Sequence, residues 1–219
     1  MRLEETELLR GVGQDTLARL KGLAVVRTLP QSALLCSAGD SDAPVILVLA
    51  GALRVYKADA DGREQTVATL GVGEALNLPA AFADDRRAPA NVEALTPEVT
   101  VASIPARALA ELAATDATLA ATVIRSLANS ARHLSDLVTD LSLRSVRQRL
   151  ARFLLLQAEQ ADGGGTSRWT HAEIATQLGT AREVVSRQLR ALVQEGLVLQ
   201  DRQRLVIADT QALRRLADL

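Results

Sequence analysis

Glu183 and Arg187 stand four residues apart in the run Arg182-Glu183-Val184-Val185-Ser186-Arg187, with Arg190 three further on. On a helix that spacing puts the carboxylate and the guanidinium on one face, where they can order each other. Their chemistry suits the edges of base pairs. A guanidinium grips guanine O6 and N7 as a fork, a carboxylate accepts from cytosine N4, and a hydroxyl such as that of Ser186 serves as donor or acceptor. The neighbouring residues must supply the helix. Val184, Val185, Leu189 and Leu192 recur at helical spacing as its buried side, which leaves Arg182, Glu183, Ser186, Arg187 and Arg190 outside. Thr180-Ala181-Arg182-Glu183 has the form of a capping box and is expected to start this helix, which runs through Val193. Thr170-His171-Ala172-Glu173 has the same form and opens a shorter helix with Ile174, Ala175 and Leu178 as its apolar face and Gly179 as its end. Two short helices about a tight glycine turn make a helix-turn-helix. Leu197–Leu199 and Leu205–Ile207, about a turn at Gln200–Arg202, add a two-stranded wing. The residues expected to touch DNA are therefore Thr170, Thr180, Arg182, Glu183, Ser186, Arg187 and Arg190, with Arg202 and Arg204 from the wing. A recognition helix of this kind meets base edges at its N-terminal end. The competing reading makes Glu183 only a cap and Arg187 only its ion-pair partner, on a winged helix that binds protein.

Charge is distributed to match. The net charge of the 219 residues is −1, but Arg144 to Leu219 holds twelve basic and eight acidic residues against thirteen and eighteen elsewhere. The C-terminal third is thus the basic part, which points to a polyanion there. Aromatic residues make up only 2% of the chain, too few for the stacking platforms of single-strand or RNA readers. The single cysteine, Cys36, excludes an internal disulfide framework, a multi-cysteine zinc site and a cysteine-ligated iron–sulfur cluster. It fits a reducing cytoplasm. The acidic start, Met1 to Glu7, carries no apolar signal core, and runs such as Val45 to Ala52 are far too short to span a membrane. No P-loop, H-E-x-x-H, G-x-S-x-G or G-x-G-x-x-G is present, so an enzyme is not expected and no catalytic residue is assigned.

Upstream of this segment the texture changes twice. Residues 6–28 read as one or two short helices on Leu8, Leu9, Val12, Leu17, Leu20 and Leu23. Short apolar runs then follow at Val45–Leu49, Leu53–Lys57, Gln65–Leu70, Val92–Leu95 and Val99–Ile104, separated by turn signals such as Asp61-Gly62. Strands of this length and spacing suggest a β-roll or barrel. Residues 105–114 form a short helix, and a long one starts near Asp116, an expected N-cap. Within it Ile124, Ala131 and Val138 fall seven apart, as do Leu127, Leu134 and Leu141. That is an a/d seam over about three heptads, which predicts a parallel two-helix homodimer. Ser142 to Ser145 reads as a hinge, with Ser145 capping the helix Val146–Gln160 and the loop 161–167 closing that unit.

Thr170–Val193 with its wing resembles the recognition segment of the CRP/FNR family of bacterial transcription regulators. The resemblance extends over nearly the whole chain, through Asp61-Gly62-Arg63-Glu64 in the roll, the long helix, and Val146-Arg147-Gln148-Arg149-Leu150-Ala151. It implies an α+β chain with an N-terminal β-roll sensor domain (a double-stranded β-helix, jelly-roll-like) over 1–114. A dimerisation helix and hinge over 115–144 and a C-terminal winged helix-turn-helix over 145–219 complete it. It further implies a palindromic operator with a TGA core, promoter DNA and RNA polymerase as partners, and a cytoplasmic location. Ser186 favours a TTGA half-site and Arg182 a GTGA one.

The sensor departs from the cyclic-nucleotide-binding members of that family. Counting on from the turn Leu70-Gly71-Val72-Gly73-Glu74, the family's cassette Gly-Glu falls on Asn77-Leu78 and its phosphate-binding Arg-Ser on Ala88-Pro89. Val92-Glu93-Ala94 keeps the register on the following strand. A buried phosphate without a cation forfeits charge-assisted hydrogen bonds worth roughly 1.5–3 kcal/mol each. Cyclic AMP and cyclic GMP are therefore not expected as effectors, unless a loop shift brings in Arg86 or Arg87. The candidate ligand pocket is apolar: Leu76, Leu78, Ala88, Pro89, Leu134 and Ser135. No cofactor or metal is expected; the ligands available to a haem would be His133, His171, Cys36 and Met1. His171 has the simpler role of first residue of its helix, His133 lies off the seam and is expected to be solvated, and Cys36 reads as core. A haem- or other small-ligand-dependent regulator of the same fold, and a ligand module that does not bind DNA, are the alternatives.

Overall fold

The structure, a computed structural model, describes residues 1–160, 169–201 and 204–218. These divide into two compact units, Met1–Gly62 with Val67–Leu134 and Arg63–Thr66 with Ser135–Leu219. The loop expected at 161–167 and Arg202 lie outside the described residues.

Along the chain a 3-10 turn, Leu3–Glu5, precedes α1 (Gln14–Leu23). Eight strands follow: β1 (Val25–Pro30), β2 (Leu34–Cys36), β3 (Val45–Ala50), β4 (Leu53–Ala58), β5 (Glu64–Leu70), β6 (Ala75–Leu76), β7 (Asn91–Ala94) and β8 (Glu98–Ile104). The short helix α2 (Leu78–Phe82) stands between β6 and β7, and α3 (Ala106–Ala113) and α4 (Ala117–Leu143) come after β8. The strands form two four-stranded sheets, ordered β1-β8-β3-β6 and β2-β7-β4-β5. Neighbours in sequence are thus mostly not neighbours in a sheet, as in a jelly-roll-like β-roll.

β3 explains the layering. Its residues Val45, Leu47 and Leu49 pack with Leu20, Leu109, Leu112 and Leu119 from the helices. Its alternate residues Ile46 and Val48 pack with Leu53, Val92, Val99 and Val101 inside the roll. A strand buried on both faces reads as a continuous apolar run, which is why Val45–Leu49 lacks alternation. The connection from β3 to β4, which lie in different sheets, turns at Gly51, with φ +76°. A Cβ there would lie 2.4 Å from the Glu98 carbonyl oxygen and 2.5 Å from Thr96 Oγ1, so only glycine fits.

The helix expected over 6–28 is shorter and is joined to a strand. α1 ends at Leu23, which is exposed, and Val25 to Pro30 pair antiparallel with Ser103 to Glu98 of β8. The β-branched Val25, Val26 and Thr28 suit the pleat, and ladder pairing outweighs the helical spacing of the leucines before them. β2, β6 and α2 were too short to carry a readable period.

The expected cap of the long helix is present: Asp116 Oδ1 accepts from Thr118 N and Leu119 N, both at 3.0 Å. The Leu119 amide, then the Thr16 hydroxyl, hold the Asp116 carboxyl below the usual carboxylate range. The cap is at full strength above the ordinary carboxyl pKa and fades as pH falls through the lowered value. One side of α4 buries Leu119, Thr122 and Val123. The other leaves Ile124 66% and Val138 62% exposed, with Leu134 and Leu141 also exposed.

The second unit contains α5 (Val146–Gln160), α6 (His171–Leu178), α7 (Arg182–Gln194), the hairpin β9 (Val198–Asp201) and β10 (Arg204–Ile207), and α8 (Thr210–Ala217). Ser145 caps α5 as expected: its Oγ accepts from Gln148 N, and Gln148 Oε1 accepts from Ser145 N at 2.9 Å. Leu150, Leu154, Ile174, Leu178, Val185, Leu189, Leu192, Val198 and Leu213 share one core. Trp169 meets Phe153 edge to face, with ring centroids 5.4 Å apart, and donates to Gln157 Oε1. At the bend between α4 and α5, Asp140 pairs with Arg144 and lies 3.9 Å from Arg152 Nε. Burial lowers the pKa of Arg149 there, and the charge of Asp140 opposes that shift. α8 escaped the sequence reading, although Asp209 caps it through Ala212 N at 2.9 Å and Leu213 and Ala217 are buried at helical spacing.

The buried Thr122 hydroxyl lies 2.8 Å from the carbonyl oxygens of Leu8 and Leu119, and so ties the N-terminal segment to α4. Thr122→Val keeps the shape and leaves the Leu8 carbonyl without this donor. It should cost about 1–3 kcal/mol in urea unfolding of the full chain; a change within error would show that the tie contributes nothing.

Candidate nucleic-acid interface

The first helix of the pair is fixed at both ends by local bonds. Thr170 Oγ1 accepts from Glu173 N at 3.2 Å, and Glu173 Oε2 accepts from Thr170 N at 2.6 Å. The expected capping box is therefore present, and it occupies the Thr170 hydroxyl that was also a candidate for DNA. At the other end Gly179 is left-handed, with φ 61°. The amides of Gly179 and Thr180 both donate to the Ala175 carbonyl, the second at 3.0 Å.

That turn corrects the expected start of the second helix. A capping box on Thr180 would need its backbone N–H free for the Glu183 carboxylate. The N–H is already donated to Ala175, so α7 begins at Arg182 with Ala181 as N-cap and no side-chain cap. Val184 N and Val185 N donate instead to the Ala181 carbonyl, at 3.0 and 3.2 Å. Glu183 then stands in the first turn without a capping duty. Among the described residues no side-chain hydrogen bond or ion pair engages Arg182, Glu183, Arg187 or Arg190, so the mutual ordering expected of Glu183 and Arg187 is not formed. All four are exposed, while Val185, Leu189 and Leu192 are buried. Val184, expected in the core, is only half-buried. Its place beside Val185 turns it part way round the helix.

Ser186 has a partner that the sequence did not reveal. Its Oγ lies 2.8 Å from Nδ1 of His171, the first residue of α6. The only available signal was the pair of positions facing each other across a helix-turn-helix, which no linear spacing displays. The wing pairs Leu199 with Val206 and Val198 with Ile207, and sets Arg204, the first residue of β10, opposite Asp201. Thr180 is half-buried in the turn between the helices.

The residues taken as a ligand pocket are not gathered in one cluster. Leu76 and Ala88 belong to the interior of the roll, Leu78 packs with the helical layer, and Pro89 is exposed. Leu134 and Ser135 are exposed on α4. Asn77 is buried and left-handed, with φ 62°, the conformation a glycine would adopt at that place. Leu78 after it is 2% exposed and apolar. Arg87 donates from Nη1 to the Gly39 carbonyl at 2.8 Å, and Arg86 is exposed. None of Leu76, Leu78, Ala88 and Pro89 carries a charge that could meet a cyclic phosphate.

Three of the groups considered as haem ligands, His133, His171 and Cys36, make contacts within the protein. His133, expected to be solvated, has Nε2 2.9 Å from the Val67 carbonyl. Its exposed ring reaches back to β5. Cys36 is buried beside Asn77 Nδ2 at 3.6 Å. Burial raises its thiol pKa, against a smaller lowering by Asn77. The Met1 ammonium donates to the Leu49 carbonyl. Among the described residues no helix is long and apolar enough to cross a membrane.

Two family models match the chain, one for a Crp-like helix-turn-helix domain over residues 148–216 and one for a cyclic nucleotide-binding domain over residues 26–116. The cyclic AMP receptor protein of Thermus thermophilus is 32% identical over 176 residues, covering 78% of each chain. The cAMP-activated global transcriptional regulator Vfr of Pseudomonas aeruginosa is 30% identical over 169 residues, 74% of this chain and 78% of the other. Among solved structures, TTHB099, a CRP-family transcriptional regulator of Thermus thermophilus, superposes with a TM-score of 0.71. That likeness covers 88% of this chain and 97% of the other at 25% identity.

Proposed function

The chain belongs to the CRP/FNR family of transcription regulators, and from that premise we propose that it binds a palindromic TGA-core operator as a homodimer without needing cyclic AMP or cyclic GMP. The observation that carries this reading is the face of α7. Arg182, Glu183, Arg187 and Arg190 are exposed together, and none is bound to a neighbour among the described residues. A fork donor and a carboxylate acceptor held one helical turn apart match guanine and cytosine edges in the major groove. Glu183 is free for this because the Gly179 turn removes its capping role. Arg187→Ala should cost about 1–3 kcal/mol on a TTGA or GTGA inverted repeat, with half-site centres roughly 34 Å apart, and relax the preference at one guanine. Equal losses on operator and random DNA in competition assays would remove the base-reading role.

The dimer is supported by the outer side of α4. Ile124, Leu134, Val138 and Leu141 are large, apolar and exposed in a single copy, and they repeat at the a/d positions of a heptad. Leu127 partly packs on its own core, so a charge there would test folding as much as assembly. Leu134→Glu with Val138→Glu removes only exposed groups. That pair should give folded monomers by sizing and light scattering, with operator affinity lost; an unchanged dimer would sink the seam. Promoter DNA and RNA polymerase are the partners that family membership supports, and the cytoplasm is the compartment.

Independence from cyclic nucleotides rests on Leu78, Ala88 and Pro89 standing where the cassette carries a glutamate, an arginine and a serine. The two relatives described above are named for cyclic AMP, and this reading sets the chain apart from them. Calorimetry with cyclic AMP and cyclic GMP should show no micromolar binding. Binding in that range, with a tenfold gain in operator affinity (about 1.4 kcal/mol of coupling), would overturn the reading and assign the phosphate to Arg86 or Arg87.

A further inference from the structure

Both helices have other anchors besides the contact between His171 and Ser186. The turn of α6 is already closed by the Thr170–Glu173 box, and α7 is held by Val185, Leu189 and Leu192 in the core. What the contact does fix is a rotor. A serine hydroxyl carries one donor and two acceptor lone pairs, and its hydrogen turns to suit its surroundings. As a base reader it therefore accepts either polarity and discriminates poorly.

We propose that His171 is a specificity-positioning residue that holds the Ser186 hydroxyl in one direction, so that α7 reads a single hydrogen-bond polarity at the base pair Ser186 faces. This rests on the reading of α7 as the base-contacting helix. Among the described residues the 2.8 Å contact with His171 Nδ1 is the one side-chain hydrogen bond of Ser186. With Nδ1 bare, the hydroxyl donates to the ring and turns its lone pairs to the groove, where they meet adenine N6 or cytosine N4. With Nδ1 protonated the hydroxyl would accept and still keep both a hydrogen and a second lone pair, so the bare Nδ1 is the state that fixes its polarity. In the bare state thymine O4 and guanine O6 meet lone pairs, acceptor against acceptor, and are rejected. The ring can do this because it is half-buried at the first position of α6, directly after a cap that fixes where that helix begins.

The test is competition binding of the full-length protein to operators carrying all four base pairs at each half-site position. Ser186→Ala identifies the base pair that Ser186 reads. His171→Ala should flatten the preference at that pair alone, by about three- to tenfold, with affinity for random DNA and the salt slope unchanged. His171→Asn, whose amide falls near the Nδ1 position, should restore the preference. His171→Gln, whose amide falls near Nε2, should not, and it keeps the comparison valid if alanine loosens the fold. In a Ser186→Ala background His171→Ala should have no further effect.

A uniform loss on every sequence with a shallower salt slope would overturn the proposal, since it would make His171 a phosphate contact. Flattening that persists in the Ser186→Ala background would also overturn it, by making His171 itself a reader. A Ser186→Ala protein with unchanged preferences removes the premise at that one residue, and the Arg187→Ala result then shows separately whether α7 reads bases at all.

Discussion

The segment from Val45 to Leu49 cannot face water on either side, and much of the first unit is arranged to meet that demand. One face of β3 needs a second sheet opposite it, and Leu53, Val92, Val99 and Val101 complete that interior. The other face needs a helical cover, supplied by Leu20 of α1, Leu109 and Leu112 of α3 and Leu119 of α4. The same requirement anchors the first turns of the long helix. Its Leu119, Thr122 and Val123 are buried with the roll, and from Ile124 onward its apolar residues turn outward. A helix held at one end and apolar along its free side is what a second copy could pack against.

In the second unit the controlling feature is a single backbone turn. Gly179 is left-handed, and this lets the Thr180 amide reach back to the Ala175 carbonyl. That bond consumes the donor a capping box would have needed. The recognition helix starts two residues later than Thr180 and relies on Ala181, whose side chain cannot cap. A capping box would have tied down the Glu183 carboxylate. The trade is a local loss of about 1 kcal/mol of capping for an unengaged carboxylate at the N-terminal end of α7.

The strands that the sequence displayed were those with two-sided burial or a clear turn after them: β3, β4, β5, β7 and β8 all begin and end within a residue or so of the apolar runs. β1 was hidden because Leu17, Leu20 and Leu23 carried a helical period into Val25 and Val26, and only pairing with β8 shows that the period stops. β2 and β6 are three and two residues long, below any detectable period. In the DNA-binding unit the caps at Thr170 and Ser145 and the buried face of α7 were legible, because each is written in contiguous residues. The failure at Thr180 and the contact of His171 with Ser186 were not. Both depend on how one helix end is placed against another, and α8 was simply passed over despite its Asp209 cap.

Gly51 has a consequence that concerns the codon rather than the fold. Its left-handed backbone sits so close to the Glu98 carbonyl and Val99 that any side chain collides with main chain, which cannot step aside as a flexible tip would. Every single-base change that alters a glycine codon's meaning adds at least a Cβ or ends the chain. Position 51 therefore has no neighbour in mutational space that preserves the turn from β3 to β4. In a random-mutagenesis library selected for function, the survivors should be silent at that codon, while the exposed Gly62 at the next hairpin, with nothing within 4 Å of an added Cβ, faces only the strain of its positive φ.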